Sequence, residues 1–162
     1  MTNQEFICNY KSFSNKKYYN ILFFIFYLFL TILNGYIFNW INDTYFNYTN
    51  KSENGLKDFT KIEKFSIIVI FAPVIETLIF QYIPNKILEK LKIKKKALNI
   101  VIPSILFSLV HYYSPIYMVM TFISGVLLNK FYIECKTKTN IYILLTILLH
   151  SMYNLYGYLF VP

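Results

Sequence analysis

Residues Phe71–Pro84 read FAPVIETLIFQYIP, and this stretch decides what kind of molecule the chain is. It sets one carboxylate, Glu76, in the middle of a long apolar run. A lone ionisable group in hydrocarbon costs about 2.5–3.5 kcal/mol on insertion scales, so a chain that keeps one has a use for it. The chain has two histidines, His111 and His150, and both also fall in long apolar stretches. One Glu and two His at membrane depth are what any reading of function must explain.

Outward from that stretch, the 162 residues are 56% hydrophobic and 20% aromatic, which excludes an ordinary soluble domain. The charges segregate, with Glu76 the one exception expected within the apolar cores. The net charge of +8 comes from sixteen lysines without a single arginine. Lys, Asn, Ile, Phe and Tyr dominate, the mark of an A+T-rich coding sequence. The aromatic count therefore gives no reason to expect nucleic-acid binding, and the lysines are read as flanks of membrane spans on the cytoplasmic side. Cys8 and Cys135 fall on that same side and are expected as free thiols.

The spacing predicts an all-α, polytopic transmembrane helical bundle of about five spans. Met1–Lys17 is a polar cytoplasmic leader, and residues 18–61 hold a first span (Tyr18–Ile41) and an outer loop. Residues 62–162 form a core of four spans: Ile62–Ile83, Ala97–Tyr113, Ile116–Ile133 and Ile141–Phe160. Ser114-Pro115 marks a tight turn between two of them. The outer loop carries Asn-x-Ser/Thr patterns at Asn42, Asn47 and Asn50, which are cheap coincidences in an Asn-rich chain. Lysines recur in the leader, in Asn85–Lys96 and in Lys130–Lys138, which predicts an integral membrane protein, of a bacterial plasma membrane, with its N-terminus cytoplasmic.

Polar side chains recur in the spans at i,i+4 spacing, which places them on shared helix faces. Thr77 and Gln81 lie beside Glu76 on the second span, Phe107 and His111 on the third, and His150 and Asn154 on the fifth. Singly, each has a plain alternative. A buried His is often a hydrogen-bonding group of the bundle interior, Asn154 can be interhelical glue, and Glu76 can serve proton transfer.

Together, Glu76, Phe107-x-x-x-His111 and His150-x-x-x-Asn154, on successive apolar helices, resemble the CPBP family of intramembrane endopeptidases. This family includes the type II CAAX prenyl endopeptidases and Abi-like bacteriocin-processing and self-immunity proteins. The resemblance covers about Phe65–Gly157 and includes the Ala72-Pro73 pair ahead of Glu76. Where the family has Glu-Glu-x-x-x-Arg, this chain has Glu76-Thr77 and Gln81. Removing both members of a buried ion pair is tolerated far better than stranding one, so Thr77 and Gln81 are expected to hydrogen-bond as a neutral brace.

The resemblance implies hydrolysis of a peptide bond in a peptide or membrane-protein substrate, amid membrane lipids. Glu76 would activate water with His111 as its partner, and His150 and Asn154 would stabilise the oxyanion. No cofactor is expected. The rival chemistry is zinc held by Glu76, His111 and His150, with water as fourth ligand. A non-catalytic membrane partner or immunity protein on the same scaffold, and a small transporter with Glu76 in its path, stay open. The span boundaries leave Glu76 and His111 offset by about 10 Å along the bundle axis unless the second span runs deeper, toward Glu89.

Overall fold

The computed structural model describes residues 3–48, 56 and 58–161, with side chains from residue 20 onward. Among them every regular element is helical. We number five helices: α1 (Asn3–Ile41), α2 (Lys61–Lys90), α3 (Lys96–Leu109), α4 (Pro115–Lys136) and α5 (Tyr142–Phe160). Four of them (α1, α2, α4 and α5) are long and apolar enough to cross a membrane. The segment expected as a separate leader continues into α1 from Asn3 without a break, because neither Gly nor Pro interrupts the chain before Gly35.

The third expected span is shorter than its apolar run. α3 has 14 residues, about 21 Å of helix against a hydrocarbon core of about 30 Å. It ends two residues before His111, and Ser114 then caps α4 by accepting from the Tyr117 amide at 3.2 Å, with Pro115 in the first turn. The Ser108 hydroxyl donates to the Met118 carbonyl at 2.7 Å and staples the hairpin shut. α3 and α4 touch closely because residue 125 is Gly. A Cβ there would lie 3.1 Å from the Ser104 backbone and 3.2 Å from the Phe107 ring.

α2 is the opposite case, longer than expected. A capping box between Thr60 and Glu63 starts it, and it runs 30 residues to Lys90. Its two internal prolines lack an amide hydrogen and crowd the carbonyl one turn back. The helix accommodates both by widening: π-turns at Ser66–Phe71 and Leu78–Tyr82 lead into Ala72-Pro73 and Ile83-Pro84. A third π-turn, Asn42–Phe46, extends α1. There the Asn42 side chain bonds both the carbonyl and the amide of Tyr48, so this first Asn-x-Thr asparagine is buried. Asn50 lies outside the described residues.

The exterior is apolar and the interior is polar, as a bundle in lipid requires. Phe26, Phe29, Ile70, Phe71, Ile75 and Leu144 are among the exposed large side chains, while Thr31, Asn34, Asn85, Ser104, Ser124, Asn129 and Thr146 are buried. An apolar cluster of Tyr27, Leu128, Phe131, Cys135 and Leu149 closes the end where the lysines gather. Cys135 is free, and the side chain of Cys8 lies outside the described residues. The charges are less strictly segregated than the sequence suggested. Lys130 lies inside α4 and is exposed, as a long lysine stem allows when the ammonium reaches toward the headgroups.

Candidate active site

Because α2 runs on to Lys90 and α3 stops early, the three ionisable groups come level. The Glu76 carboxylate sits between two imidazoles. Oε2 is 3.4 Å from His150 Nε2 and Oε1 is 4.0 Å from His111 Nε2. The expected axial offset is thus absent, and the deeper course of α2 is what removes it.

His111 lies just past the end of α3, and its Nδ1 is 2.7 Å from the Phe107 carbonyl. A carbonyl only accepts, so Nδ1 carries the hydrogen, and in the neutral ring Nε2 presents a lone pair toward Glu76. A carboxylate oxygen and an imidazole lone pair face one another there, an arrangement that a proton-bearing group between them makes favourable. Phe107 is buried and fixes both rings, with centroids 4.5 Å from His111 and 5.8 Å from His150, and it packs edge-on against Phe80.

His150 is buried on α5, and its Nδ1 has no hydrogen-bond partner among the described residues. One turn on, the Asn154 amide donates to the Ile68 carbonyl at 2.9 Å. That carbonyl belongs to the π-turn before Pro73. In π-register its donor would be the amide of residue 73, which proline lacks. Asn154 therefore fills a gap in the α2 backbone two turns from Glu76.

Thr77 and Gln81 are fully buried, but the brace expected of them is not formed. Among the described residues, Thr77 Oγ1 and both amide atoms of Gln81 have no hydrogen-bond partner. The π-turn Leu78–Tyr82 starts just after Thr77 and includes Gln81, and it widens the helix, so residues four apart no longer stack on one face.

Several polar interior residues were not singled out from the sequence. Asn129 accepts from Asn85 at 3.2 Å and donates to the Gly125 carbonyl at 2.9 Å, joining α2 to α4. Asn34 donates to Ser124 Oγ at 2.9 Å and to the Met120 carbonyl at 3.0 Å, joining α1 to α4. Asparagine is so common in this chain that its number carried no signal; its position within apolar runs did.

Glu76, His111, His150 and Asn154 all line one cavity of about 630 Å³. Tyr117, Ser124 and Tyr153 add polar groups to its wall, and α1 closes one side with Gly35 and Asn39. Gly35 permits this, since a Cβ there would meet the Tyr153 ring at 3.3 Å. Among the described residues no group of three His, Cys, Asp or Glu side chains is arranged to hold a metal ion.

A family model for Rce1-like type II CAAX prenyl endopeptidases matches residues 59–156, more than half of the chain. The chain belongs to this family. No curated protein and no solved structure matches it. Membership makes this Rce1-like chain a CAAX protease-type intramembrane peptidase. The matched region begins just before α2 and contains the whole carboxylate–imidazole cluster, while α1 lies outside it.

Proposed function

We propose that the chain is a metal-independent intramembrane endopeptidase in which Glu76 activates water for attack on a peptide bond. The observation that carries this reading is the Glu76 carboxylate held between two imidazoles on the wall of a cavity inside an apolar bundle. A water lying between Glu76 and His111 Nε2 would donate one hydrogen to each, turning its own lone pair toward the cavity. Glu76 then takes one proton as the oxygen bonds to the substrate carbonyl carbon. His150 Nε2–H, on the other side of the carboxylate, donates to the oxyanion. As the C–N bond breaks, the proton held by Glu76 passes to the leaving amine; the new acid then gives up its own proton to the amine, and the products are a carboxylate and an ammonium group. Asn154 serves this site by holding the α2 backbone at Ile68, and Phe107 by fixing both rings.

The test is a cleavage assay on purified protein in detergent, with a broad peptide library that includes prenylated members. Wild type should cleave, Glu76→Gln should lose about 10²–10⁴-fold in rate as expected for a missing general base, and a chelator should have no effect. Chelator sensitivity reversed by zinc would replace this mechanism with a metal-dependent one. A folded wild type that cleaves nothing would instead support a non-catalytic partner or self-immunity protein on the same scaffold.

A further inference from the structure

The two ends of the bundle differ in charge, and the cavity wall extends toward one of them. Twelve of the sixteen lysines fall in the first 17 residues, in Lys86–Lys96 and in Lys130–Lys138. These segments meet at one end. Lys136 pairs with Glu89, the Tyr27 hydroxyl reaches Glu134 at 3.4 Å, and the Lys138 ammonium lies 3.9 Å from the Phe23 ring centre. Among the described residues the other end holds two lysines, Lys61 and Lys64, against Asp43, Asp58 and Glu63. Lysine bias in short loops places the lysine-rich end in the cytoplasm.

The cavity reaches the lysine-poor end. Beyond Glu76 its wall continues through Ile68 to Lys64, Leu56, Tyr158 and Val161. The reason lies in the short hairpin. α2 and α4 run parallel, with Asn85 against Asn129. Measured from that pair, α2 climbs to Lys61 but α4 only to Pro115, a difference of about ten residues or about 15 Å. The α3–α4 turn carrying His111 is thus recessed below the rim formed by α2 and α5. Toward the lysine-rich end, the Asn85–Asn129 layer, Leu128 and Leu149 are buried and fill the space beneath the site.

We propose that the site is served from the non-cytoplasmic face, and that its substrate is an extended segment of an exported or outward-projecting polypeptide. Such a segment passes the rim at Lys64 and reaches Glu76 without crossing the lysine-rich end. Substrate identity here rests on the peptidase reading; the direction of access does not.

The test uses single cysteines in the full chain, in a Cys8→Ser background that keeps the buried Cys135; the parent without added cysteines gives the blank. Ala72→Cys places a thiol on the cavity wall one turn from Glu76, Lys64→Cys at the rim, and Lys94→Cys at the opposite end. A membrane-impermeant maleimide is applied to intact cells and to inside-out vesicles. Lys64→Cys and Ala72→Cys should label in intact cells, and Lys94→Cys only in inverted vesicles. Adding Glu76→Gln should leave the pattern unchanged, so a failed peptidase reading is told apart from a failed access reading. Ala72→Cys labelled only in inverted vesicles, or from neither side while the two end positions report correctly, overturns the proposal. Reversed labelling of Lys64→Cys and Lys94→Cys overturns the orientation itself.

Discussion

Gln81 buries a full amide with no partner among the described residues, and Thr77 buries a hydroxyl in the same condition. A buried polar group without a partner costs about 1–3 kcal/mol, whereas an apolar group of the same shape can be neutral or better. Thr77→Val with Gln81→Met should therefore leave the thermal midpoint in detergent unchanged or raise it. A fall of several degrees would mean that these side chains hold each other after all. Glu76, His111 and His150 were legible in the sequence because an ionisable group in hydrocarbon stands out against everything around it. The fate of Thr77 and Gln81 was not, because i,i+4 spacing implies a shared face only while the helix keeps 3.6 residues per turn. Asn154 shows the same limit. Its spacing from His150 put it near the site, but its bond to the Ile68 carbonyl follows from a proline on another helix.

Among the helices, length is the property that separates the expected bundle from the one observed. Hydropathy marked five apolar runs, and all five became helices, yet it could not tell that one would stop after 14 residues and another continue for 30. α3 ends where its chain must turn into Ser114-Pro115, and α2 persists because π-turns absorb the prolines that would otherwise end it. The α3–α4 hairpin depends on the absent side chain at position 125. Gly125→Ala would press a Cβ against Ser104 and Phe107 and should cost about 1–3 kcal/mol through overpacking. Since Phe107 holds both imidazoles, cleavage should fall with it. Gly157→Ala is the matched control: nothing lies within 4 Å of its Cβ, so thermal unfolding should be unaffected or slightly improved. Equal destabilisation by both would show that helix–helix approach at position 125 is not what matters.

Taken whole, the molecule is turned inside out relative to a soluble protein, and asparagines hold its helices together. α1 lies outside the family-matched region yet supplies Asn34 to α4 and Gly35 and Asn39 to the cavity wall. Asn34→Leu removes both bonds to α4 and leaves the Ser124 hydroxyl short of a partner, a loss of about 1–3 kcal/mol. Co-expressed halves, split in the loop between α1 and α2, should co-purify when Asn34 is intact and much less in the variant. Undiminished co-purification would mean that apolar packing alone docks α1. The number of helices and their apolar exteriors could be read from composition and periodicity. The asparagine seam was harder to read, since in so Asn-rich a chain the count carries no signal and only the position of an asparagine within an apolar run does.

The recessed hairpin also changes what the surrounding lipid experiences. A bundle in which one helix pair stops about 15 Å short of its neighbours presents a full hydrophobic thickness on one flank and a shorter one on the other. Lipids meet such a flank by thinning or by tilting the protein, at a cost that grows with every ångström of mismatch. In a thin membrane the notch opens to water, and in a thick one acyl chains crowd over its mouth. The thickness of the host bilayer would then bear on how much water reaches the notch above Glu76.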